Sequence, residues 1–406
     1  MTKIMRMNIA LVDLNWRNNL PLTFAKSTAH LLVGIDTIEE KWTRLTEAST
    51  SFILPEYLHS KFPQNDTADY FVNASVVPTN SLLESIHSLQ FGEVLTYRGK
   101  FIASKNTGQL PSRINSEIQE GSDISFTFFG KSEKYFNDEI LLIEKPSDIF
   151  SLNGDVLKKD FEEITRGIHT TAFPDGVIAT GTDIYASSSA KLNHCVLNSS
   201  AGPIYIGKDV EIMEGSLIRG PFAIRSHSTL KMGAKIYGPT SIGKHCKVGG
   251  EVNNSVFNDF SNKGHDGFLG NSVVGSWCNL GADTNTSNLK NNYAKIRVWN
   301  YRDEKLSETG RQFHGAILGD HVKLGINTML NTGTIIGMSS NVFGGNFPPK
   351  FIPSFSWGSA DSGFSEFKMD KAIEAASAMM ERRGEDLTDA DKDIFRFVLN
   401  HDKKYQ

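Results

Sequence analysis

The sequence predicts an α/β amino-terminal domain, then a parallel β-helix, then an α-helical tail. Strand and helix patterns alternate through the first part of the chain, and an aliphatic residue recurs at every sixth position through most of the rest. Two amphipathic segments follow at the end. We place the boundaries at 1–160, 161–358 and 359–406, and the 406 residues suffice for two domains and a tail.

Composition narrows the possible classes of function. Hydrophobic residues make up 39% and charged residues 22%, as is typical of soluble globular proteins. The net charge of −4, without a long basic run, gives no support for nucleic-acid binding. No apolar stretch is long enough to predict a membrane span. Cys195, Cys246 and Cys278 lack CxxC spacing, which fits reduced thiols in the cytoplasm.

The α/β prediction for the first domain depends on short alternating segments. The stretch "MNIALVDL" is typical of a buried opening strand, and "FVNASVVP" and "EVLTYRGKFIAS" of further strands. Between them, "GIDTIEEKWTRL" and "NSLLESIHSLQ" have the pattern of amphipathic helices. Alternating strands and helices favour a layered α/β domain. Residues 145–167 predict a helix that leads into the repeats.

The β-helix prediction depends on a period of six, which fits neither a helix nor a plain strand. Hexapeptide repeats form triangular coils of about 18 residues, with the aliphatic residue pointing inward. The longest register is Ile206, Ile212, Ile218, Ile224, Leu230, Ile236, Ile242 and Val248. A second register is Leu318, Leu324, Leu330, Ile336 and Val342. Shorter registers are Ile178, Ile184, Ala190 and Val196, and Phe268, Val274 and Leu280. Glycines that follow, such as Gly207, Gly243 and Gly249, are expected to adopt turn geometry.

Two breaks in the period point to a functional edge. The register slips between Val248 and Phe268, and a longer excursion separates Leu280 from Leu318. Such insertions leave a solenoid as loops, where binding groups usually lie. Both breaks flank "SNKGHDGFLGNSVVG", which contains His265. A neutral imidazole can accept a proton near pH 7, so we interpret His265 as a general base, with a structural histidine as the alternative.

The tail predicts two helices. Phe367, Ile373, Ala376 and Met380 share one face of the first, and Thr388 is the expected N-cap of the second. We expect these helices to cap the open end of the prism or to pack on a neighbouring subunit.

The stretch "GGEVNNSVFNDFSNKGHDGFLGNSVVGSWCNLGADTNTSNLKNN" resembles the acetyltransferase domain of a bifunctional family. This family comprises the UDP-N-acetylglucosamine pyrophosphorylase/glucosamine-1-phosphate N-acetyltransferases, and the chain looks closest to its branch of sugar nucleotidyltransferases with a β-helix. The resemblance covers residues 204–350, and "NNLPLTFAKSTAHLLVGIDTIEEKW" resembles that branch's opening. It implies a nucleotidyltransferase-like, Rossmann-like first domain and a left-handed β-helix. It also implies a cytoplasmic homotrimer that binds acetyl-CoA between two prisms.

The resemblance assigns roles around the histidine. The family's catalytic histidine follows a glycine, as His265 does in "NKGH", and Asn288 corresponds to an active-site asparagine. Phe268 stands where the family has a sugar-contacting tyrosine, so ring stacking remains and one hydroxyl is lost. Asn279 corresponds to a sugar-binding asparagine. Asn253 occupies the place of a phosphate-binding lysine.

Charged and backbone groups complete the implied site. Arg225, Lys235 and Lys263 are the candidate donors to the phosphate of a sugar 1-phosphate. The N–H groups of Gly281 and Ala282 could hold the pantetheine arm or an oxyanion. The candidates for the coenzyme's phosphates are Lys290 and Lys295, with solvated loop lysines as the alternative.

The first domain departs from the family pattern. Active sugar nucleotidyltransferases have a glycine-rich turn after the first strand, whereas this chain has "DLNWRNNLPLTFAKS". Arg17 and Lys26 are the candidate cations for a nucleotide phosphate, with an ordinary surface pair as the alternative. Mg²⁺ is expected if this domain is active, and no particular aspartate is assigned to it.

Three functions remain open at this point. The first is acetyl transfer from acetyl-CoA to an amino-sugar 1-phosphate, coupled to nucleotide-sugar synthesis of the UDP-N-acetylglucosamine type. The second is a sugar-1-phosphate nucleotidyltransferase, similar to glucose-1-phosphate thymidylyltransferase and using UTP or dTTP, whose β-helix serves oligomerisation. The third is a non-catalytic trimer that binds a nucleotide sugar.

Overall fold

The computed structural model describes residues 7–47, 50–62, 64, 67–106, 118, 129–130, 132–168 and 172–406. The chain divides into two compact units. The first comprises Met1–Asn19, Ala25–Leu31 and Asp36–Lys145, and the second comprises Leu20–Phe24, Leu32–Ile35 and Pro146–Gln406. The long segment of the second unit therefore begins at Pro146, before the predicted boundary at residue 160.

The first unit is an α/β domain, as predicted. Its mixed sheet has the strand order Thr50–Ile53, Ile9–Val12 (β1), Tyr70–Asn73, Lys100–Lys105, Glu93–Tyr97 and Ser132–Tyr135. β1 runs parallel to both of its neighbours, Thr50–Ile53 and Tyr70–Asn73. Lys100–Lys105 runs antiparallel to both of its own neighbours. Helices α1 (Ile38–Thr46) and α2 (Asn80–His87) follow the predicted segments. A short strand, Asp36–Thr37, precedes α1.

A capping box explains why α1 begins where it does. The Thr37 hydroxyl accepts a hydrogen bond from the Glu40 N–H, and the Glu40 carboxylate accepts one from the Thr37 N–H. This exchange satisfies two N–H groups at the helix start that lack intrahelical partners.

The second unit is built on a left-handed parallel β-helix with three sheets, which confirms the predicted fold class. Sheet I contains Ile178–Thr180, Val196–Asn198, Leu217–Arg219, Lys235–Tyr237, Glu251–Asn253 and Phe268–Gly270. Sheet II contains Ile184–Ala186, Ile204–Ile206, Phe222–Ile224, Thr240–Ile242, Val256–Phe257, Val273–Val274, Ile317–Leu318, Ile335–Ile336 and Phe351–Ile352. Sheet III contains Lys191–Leu192, Glu211–Ile212, Thr229–Leu230, Lys247–Val248, Asn262–Lys263, Asn279–Leu280, Lys323–Leu324, Asn341–Val342, Ser356–Ser359 and Gly363–Glu366.

Further short strands complete this unit. Asn285–Thr286 pairs with Met329–Leu330 in parallel, in the coils that follow the last strand of sheet I. The long excursion forms an antiparallel hairpin of Arg297–Asn300 and Lys305–Glu308. Leu32–Val33 is a strand of the amino-terminal part of the unit.

The two long registers are confirmed as interior positions, because all their members are at most 3% exposed. The shorter registers are partly wrong. Ile178 is 62% exposed, and Leu192 and Leu197 fill the interior in place of Ala190 and Val196. In the quoted stretch, Leu269 points inward and Phe268 lies on the outer surface.

The predicted reason for the glycines is also corrected. Gly207, Gly243 and Gly249 do not have positive φ angles; instead each lies against the next coil. A Cβ on Gly243, for example, would lie 2.5 Å from the Asp259 Oδ1. Positive φ angles occur at the corners of the coils, where glycine is one of several residue types.

Helix α3 (Pro146–Ile164) covers the outer surface of sheet II. Leu157 packs with Ile35 and Ala223 in a small buried cluster. The Asp160 carboxylate accepts a hydrogen bond from the Ile35 N–H at 2.8 Å. These contacts place α3 in the second unit. Among the described residues, none of the helices is both long and apolar enough to cross a membrane.

The tail forms α4 (Met369–Glu381) and α5 (Asp389–Asp402), and Thr388 is the N-cap of α5 as predicted. Phe395 of α5 packs edge-on against His321 and Phe355, at the edge where sheet II passes to sheet III. Arg383, just after α4, donates to the Asn262 side chain on sheet III. The tail therefore lies along the side of the prism, which corrects the expectation that it caps the open end.

Replacing Asp402 with alanine is expected to release the tail. This fully buried carboxylate accepts hydrogen bonds from the Ser354 N–H (2.8 Å) and the Tyr301 hydroxyl (3.3 Å) and contacts the His401 Nδ1 (2.8 Å), and alanine removes all three contacts. We expect a loss of about 1–3 kcal/mol in tail docking, seen as faster proteolysis and hydrogen exchange in α5. Asp389→Ala, which removes an exposed pair with Lys392, is the control, and equal effects of both variants would contradict the prediction.

Candidate functional site

His265 lies on the edge where sheet III passes to sheet I. We call residues 249–250, 264–267, 281–284 and 325–328 the glycine edge, because glycine occupies it in successive coils. The backbone has positive φ there at Gly250 (73°), Gly267 (113°) and Asp283 (55°). Only glycine adopts such angles without strain, apart from occasional short polar residues.

Close backbone packing is the second reason for glycine at this edge. A Cβ on Gly267 would lie 2.3 Å from the Thr284 carbonyl oxygen of the next coil. A Cβ on Gly250 would lie 2.9 Å from the His265 carbonyl oxygen. These glycines therefore hold the His265 corner close to its neighbours above and below.

The His265 side chain is exposed and makes no hydrogen bond or ion pair with the described part of the chain. The neighbouring Asp266 is also exposed. A structural histidine would be expected to be packed or hydrogen-bonded. The geometry therefore leaves the imidazole accessible to a ligand.

Lys263 has a different position from the one predicted. It is 1% exposed and points into the prism, where its ammonium donates to the carbonyls of Gly249 (3.1 Å) and His265 (2.9 Å). Burial lowers the pKa of Lys263 to about 8, against the opposing effect of Asp266 and Asp283. Contact of this ammonium with a sugar phosphate does not fit that position.

Phe268 and Asn288 lie together on the outer surface of sheet I. A Cβ on Gly270 would lie 2.6 Å from both the Asn288 Nδ2 and the Phe268 ring, so glycine makes room for both side chains. The Asn288 Nδ2 donates to the Asn271 Oδ1 at 2.8 Å, which fixes the amide at the far end of the strand from His265. The Phe268 ring is therefore placed where a ligand on the outer surface of sheet I can contact it. The Asn288 amide is already engaged with Asn271.

Asn285 was missed by the sequence interpretation. Its Oδ1 accepts the Phe268 N–H at 2.7 Å, and its Nδ2 donates to the Asp283 side chain at 3.0 Å. It thereby connects the glycine edge to the strand that bears Phe268. Its position on the "NLGADTNTSN" segment was the only available signal.

Three other predicted residues lie on surfaces that meet the glycine edge. Lys235 is exposed on sheet I, in the same line of cross-strand partners as Phe268, which we call the Phe268 column. Asn253 is paired with Gly270 on the same sheet. Asn279 is exposed on sheet III, where it pairs with Asn262. The fold thus brings Lys235, Asn253 and Asn279 to the two faces flanking His265.

Two predicted contacts are not supported. Arg225 lies at the opposite edge, between sheets II and III, where it is 6% exposed with Asp259 at 3.9 Å. The Gly281 N–H donates to the Leu324 carbonyl at 2.9 Å as part of the coil stacking, so it is already engaged. Arg225 is therefore separated from His265. Of the two predicted backbone donors, only the Ala282 N–H stays a candidate, and Ala282 is half-buried on the glycine edge.

A cationic cluster lies in the excursion. The Lys290 ammonium donates to the Lys295 carbonyl at 3.2 Å, and Lys295 itself is exposed. Burial, together with the nearby charges of Lys290 and Arg297, lowers the pKa of Lys350. Lys350 was missed by the sequence interpretation because it is distant along the chain, and Arg297, two residues after Lys295, was not singled out. Cations that lie close to one another favour an anionic ligand.

The end of β1 in the first unit is closed by its own side chains. Burial raises the pKa of Asp13, whose two oxygens accept the Thr28 N–H (2.7 Å) and hydroxyl (2.8 Å). Trp16 is buried, and the Arg17 guanidinium lies 5.2 Å from its ring centre. Lys26 lies close enough to His30 to lower its pKa, after burial as the main cause.

These residues do not fit a Mg²⁺ site. Mg²⁺ requires ionised carboxylates with free lone pairs, and Asp13 is buried and already hydrogen-bonded. In the described part of the chain, no group of three or more His, Cys, Asp and Glu side chains could hold a metal ion. Nucleotide phosphate binding by Arg17 and Lys26 stays a prediction.

Comparison with known proteins gives a family match and several relatives that each cover part of the chain. Residues 9–169 match the sugar nucleotidyl transferase family. The chain is 26% identical over 190 residues to the bifunctional protein GlmU of Synechococcus elongatus, covering 44% of this chain and 37% of the relative. It is 32% identical over 146 residues to a bifunctional sugar-1-phosphate nucleotidylyltransferase/acetyltransferase of Sulfurisphaera tokodaii, covering 36% of each. The chain thus spans little more than a third of these relatives.

Similar solved structures include the polySia-specific acetyltransferase NeuO. It is 15% identical, covers 52% of this chain and 99% of NeuO, and has a TM-score of 0.28. Another is an N-acyltransferase, AntD from Bacillus cereus, solved with dTDP and 3-hydroxybutyryl-CoA. It is 13% identical, covers 52% of this chain and 93% of AntD, and has a TM-score of 0.23.

The first domain matches a sugar nucleotidyl transferase family, and the chain is also similar to a protein named for both nucleotidyl and acetyl transfer. The sequence resemblance to the bifunctional sugar-phosphate nucleotidyltransferase/acetyltransferases is therefore confirmed.

Proposed function

We propose that this protein transfers an acetyl group from acetyl-CoA to the amino group of a sugar 1-phosphate, with His265 as general base. The observation that carries the proposal is the exposed imidazole on the glycine edge, flanked by Phe268 and Asn279. The name of the Sulfurisphaera tokodaii relative, a bifunctional sugar-1-phosphate nucleotidylyltransferase/acetyltransferase, supports the choice of acetyl transfer and of a sugar 1-phosphate.

The chemistry follows from the accessibility of the imidazole. The amine lone pair attacks the thioester carbonyl, the C–S bond breaks, and coenzyme A leaves as a thiol. His265 accepts the proton that the attacking amine loses and can return it to the leaving sulfur. The Ala282 N–H is the remaining candidate donor to the oxyanion on the glycine edge.

The outer face of sheet I is the proposed acceptor surface. Phe268 provides an apolar ring on which a sugar can stack, and Asn253 and Asn288 provide amides. Lys235 is the exposed cation in the Phe268 column that can meet the phosphate. Lys263 and Arg225 have no part in this contact.

The cationic cluster of the excursion is the proposed place for the phosphates of acetyl-CoA. Lys290 and Lys295 are joined there by Lys350 and Arg297. A complete coenzyme groove would need a second prism, so we also propose a homotrimer. We place this reaction in the cytoplasm, where acetyl-CoA is used.

Nucleotidyl transfer is the second candidate, and the match of residues 9–169 favours it. In this alternative, UTP or dTTP reacts with a sugar 1-phosphate in the first domain, with Arg17 and Lys26 at the phosphates. The closed environment of Asp13 weighs against it. Acetyl transfer is therefore the stronger proposal.

A substrate matrix distinguishes the candidates. Glucosamine 1-phosphate, N-acetylglucosamine 1-phosphate and glucose 1-phosphate are each incubated with acetyl-CoA, or with UTP or dTTP and Mg²⁺. Thiol release only with the free amino sugar is the expected result. Pyrophosphate release without thiol release would favour the second candidate. Ligand-induced thermal shifts without either product would favour the non-catalytic trimer.

A further inference from the structure

We propose that Lys263 is the positioning residue for His265, acting from inside the prism through the His265 backbone. The inference rests on the proposed acetyl transfer. It replaces the phosphate contact expected from the sequence with a role in holding the general base.

Lys263 occupies an interior position that other coils fill with an aliphatic side chain. It pairs directly with Val248 of the preceding coil, which in turn pairs with Leu230. The side chains of Leu230 and Val248 are fully buried, and Lys263 is 1% exposed. An ammonium at such a position is costly unless hydrogen bonds and charges compensate it.

The compensation comes from the corner that carries the imidazole. The Lys263 Nζ donates to the His265 carbonyl at 2.9 Å and to the Gly249 carbonyl of the coil below at 3.1 Å. A Cβ on Gly250 would lie 2.8 Å from this Nζ, so glycine creates the space for it. One ammonium thus connects the His265 backbone to the neighbouring coil.

The coil that leads to the Lys263 strand is shorter than the coil before it. Leu230 and Val248 are eighteen residues apart, whereas Val248 and its partner Lys263 are only fifteen apart. The His265 carbonyl accepts its hydrogen bond from the Lys263 ammonium, which lies inside the prism. Charge-assisted hydrogen bonds are stronger and more directional than neutral ones, so Lys263 restricts the corner to one orientation.

Lys323 offers a matched comparison within the same fold. Its Nζ also donates to two backbone carbonyls, those of Trp277 (2.7 Å) and His321 (3.3 Å). These carbonyls lie at the edge between sheets II and III, away from the glycine edge. A purely structural role predicts similar consequences for the loss of either lysine.

The test compares Lys263→Met with Lys323→Met in the full chain, using acetyl-CoA and glucosamine 1-phosphate. We expect Lys263→Met to lower kcat about tenfold or more, with KM for both substrates and Tm nearly unchanged. Lys323→Met should leave kcat unchanged. Lys263→Gln, which keeps an N–H donor, should recover part of the lost kcat and also serves if the methionine variant does not fold.

The pH profile separates a positioning role from proton transfer by Lys263 itself. The acid limb, which reports the general base, should stay in place in Lys263→Met while the plateau falls, because His265 still accepts the proton. Unchanged kcat in Lys263→Met, or a fall shared by Lys323→Met, would overturn the positioning role. Absence of acetyl transfer in the wild-type protein would instead overturn the proposed function, and the positioning role with it.

Discussion

Replacing His265 with alanine is expected to lower kcat for acetyl transfer by about 10²–10⁴-fold, the usual contribution of a general base. The exposed ring makes no hydrogen bond with the described residues, so the substitution removes a proton acceptor without disturbing the fold. KM and Tm should therefore stay close to the wild-type values. Thiol release under saturating substrates measures the effect.

A second exposed histidine provides the control. His227 lies at the edge between sheets II and III, where its ring stacks on His245 with 4.9 Å between ring centres. His227→Ala should leave kcat unchanged. Retention of wild-type turnover by His265→Ala would show that another group accepts the proton, or that the chemistry lies elsewhere in the chain.

Replacing Phe257 with alanine is expected to cost about 3–5 kcal/mol in the free energy of unfolding. Phe257 is fully buried in the prism, where it pairs with Ile242 below and Val274 above. The substitution loses transfer free energy and leaves a cavity in the coil that carries His265. Because coils stack one on another, the neighbouring coils are expected to destabilise with it. Urea denaturation followed by circular dichroism measures the loss.

Phe268→Ala removes a phenyl ring of the same size from the outer surface of the prism, so this variant is the matched control. Phe268 is only partly buried, so we expect a cost of less than about 1 kcal/mol. Its loss should instead raise KM for the sugar phosphate, since the ring is the proposed stacking surface. A larger stability loss for Phe268→Ala than for Phe257→Ala would contradict the prediction, because it would mean that Phe268, and not Phe257, packs inside the prism.

The β-helix could be predicted because its repeat leaves a strong pattern. Each coil needs inward aliphatic side chains at fixed spacing, and the runs from Ile206 to Val248 and from Leu318 to Val342 supply them. The start of α5 could also be predicted, because the Thr388 hydroxyl caps the first turn of the helix and this local contact does not depend on what the helix packs against. The catalytic candidate His265 also emerged from the sequence, from a glycine-bounded motif at a break in the period.

Errors arose where coil length changes. Counting in sixes assigned Phe268 to the interior, but pairing with Glu251 places it outside and makes Leu269 the interior residue. The same shift conceals the inward position of Lys263. Arg225 was grouped with His265 by charge alone, and the coils carry it to another edge.

The sequence by itself determined the architecture and the motif that contains His265, because short-range spacing and residue type are enough to define a repeating coil. The tertiary structure decided which side chains face the motif. Strand pairing between coils, rather than position along the chain, sets the direction of Phe268 and Lys263. A single residue gained or lost in a coil reverses inside and outside at the next strand, and that change is settled only when the coils stack.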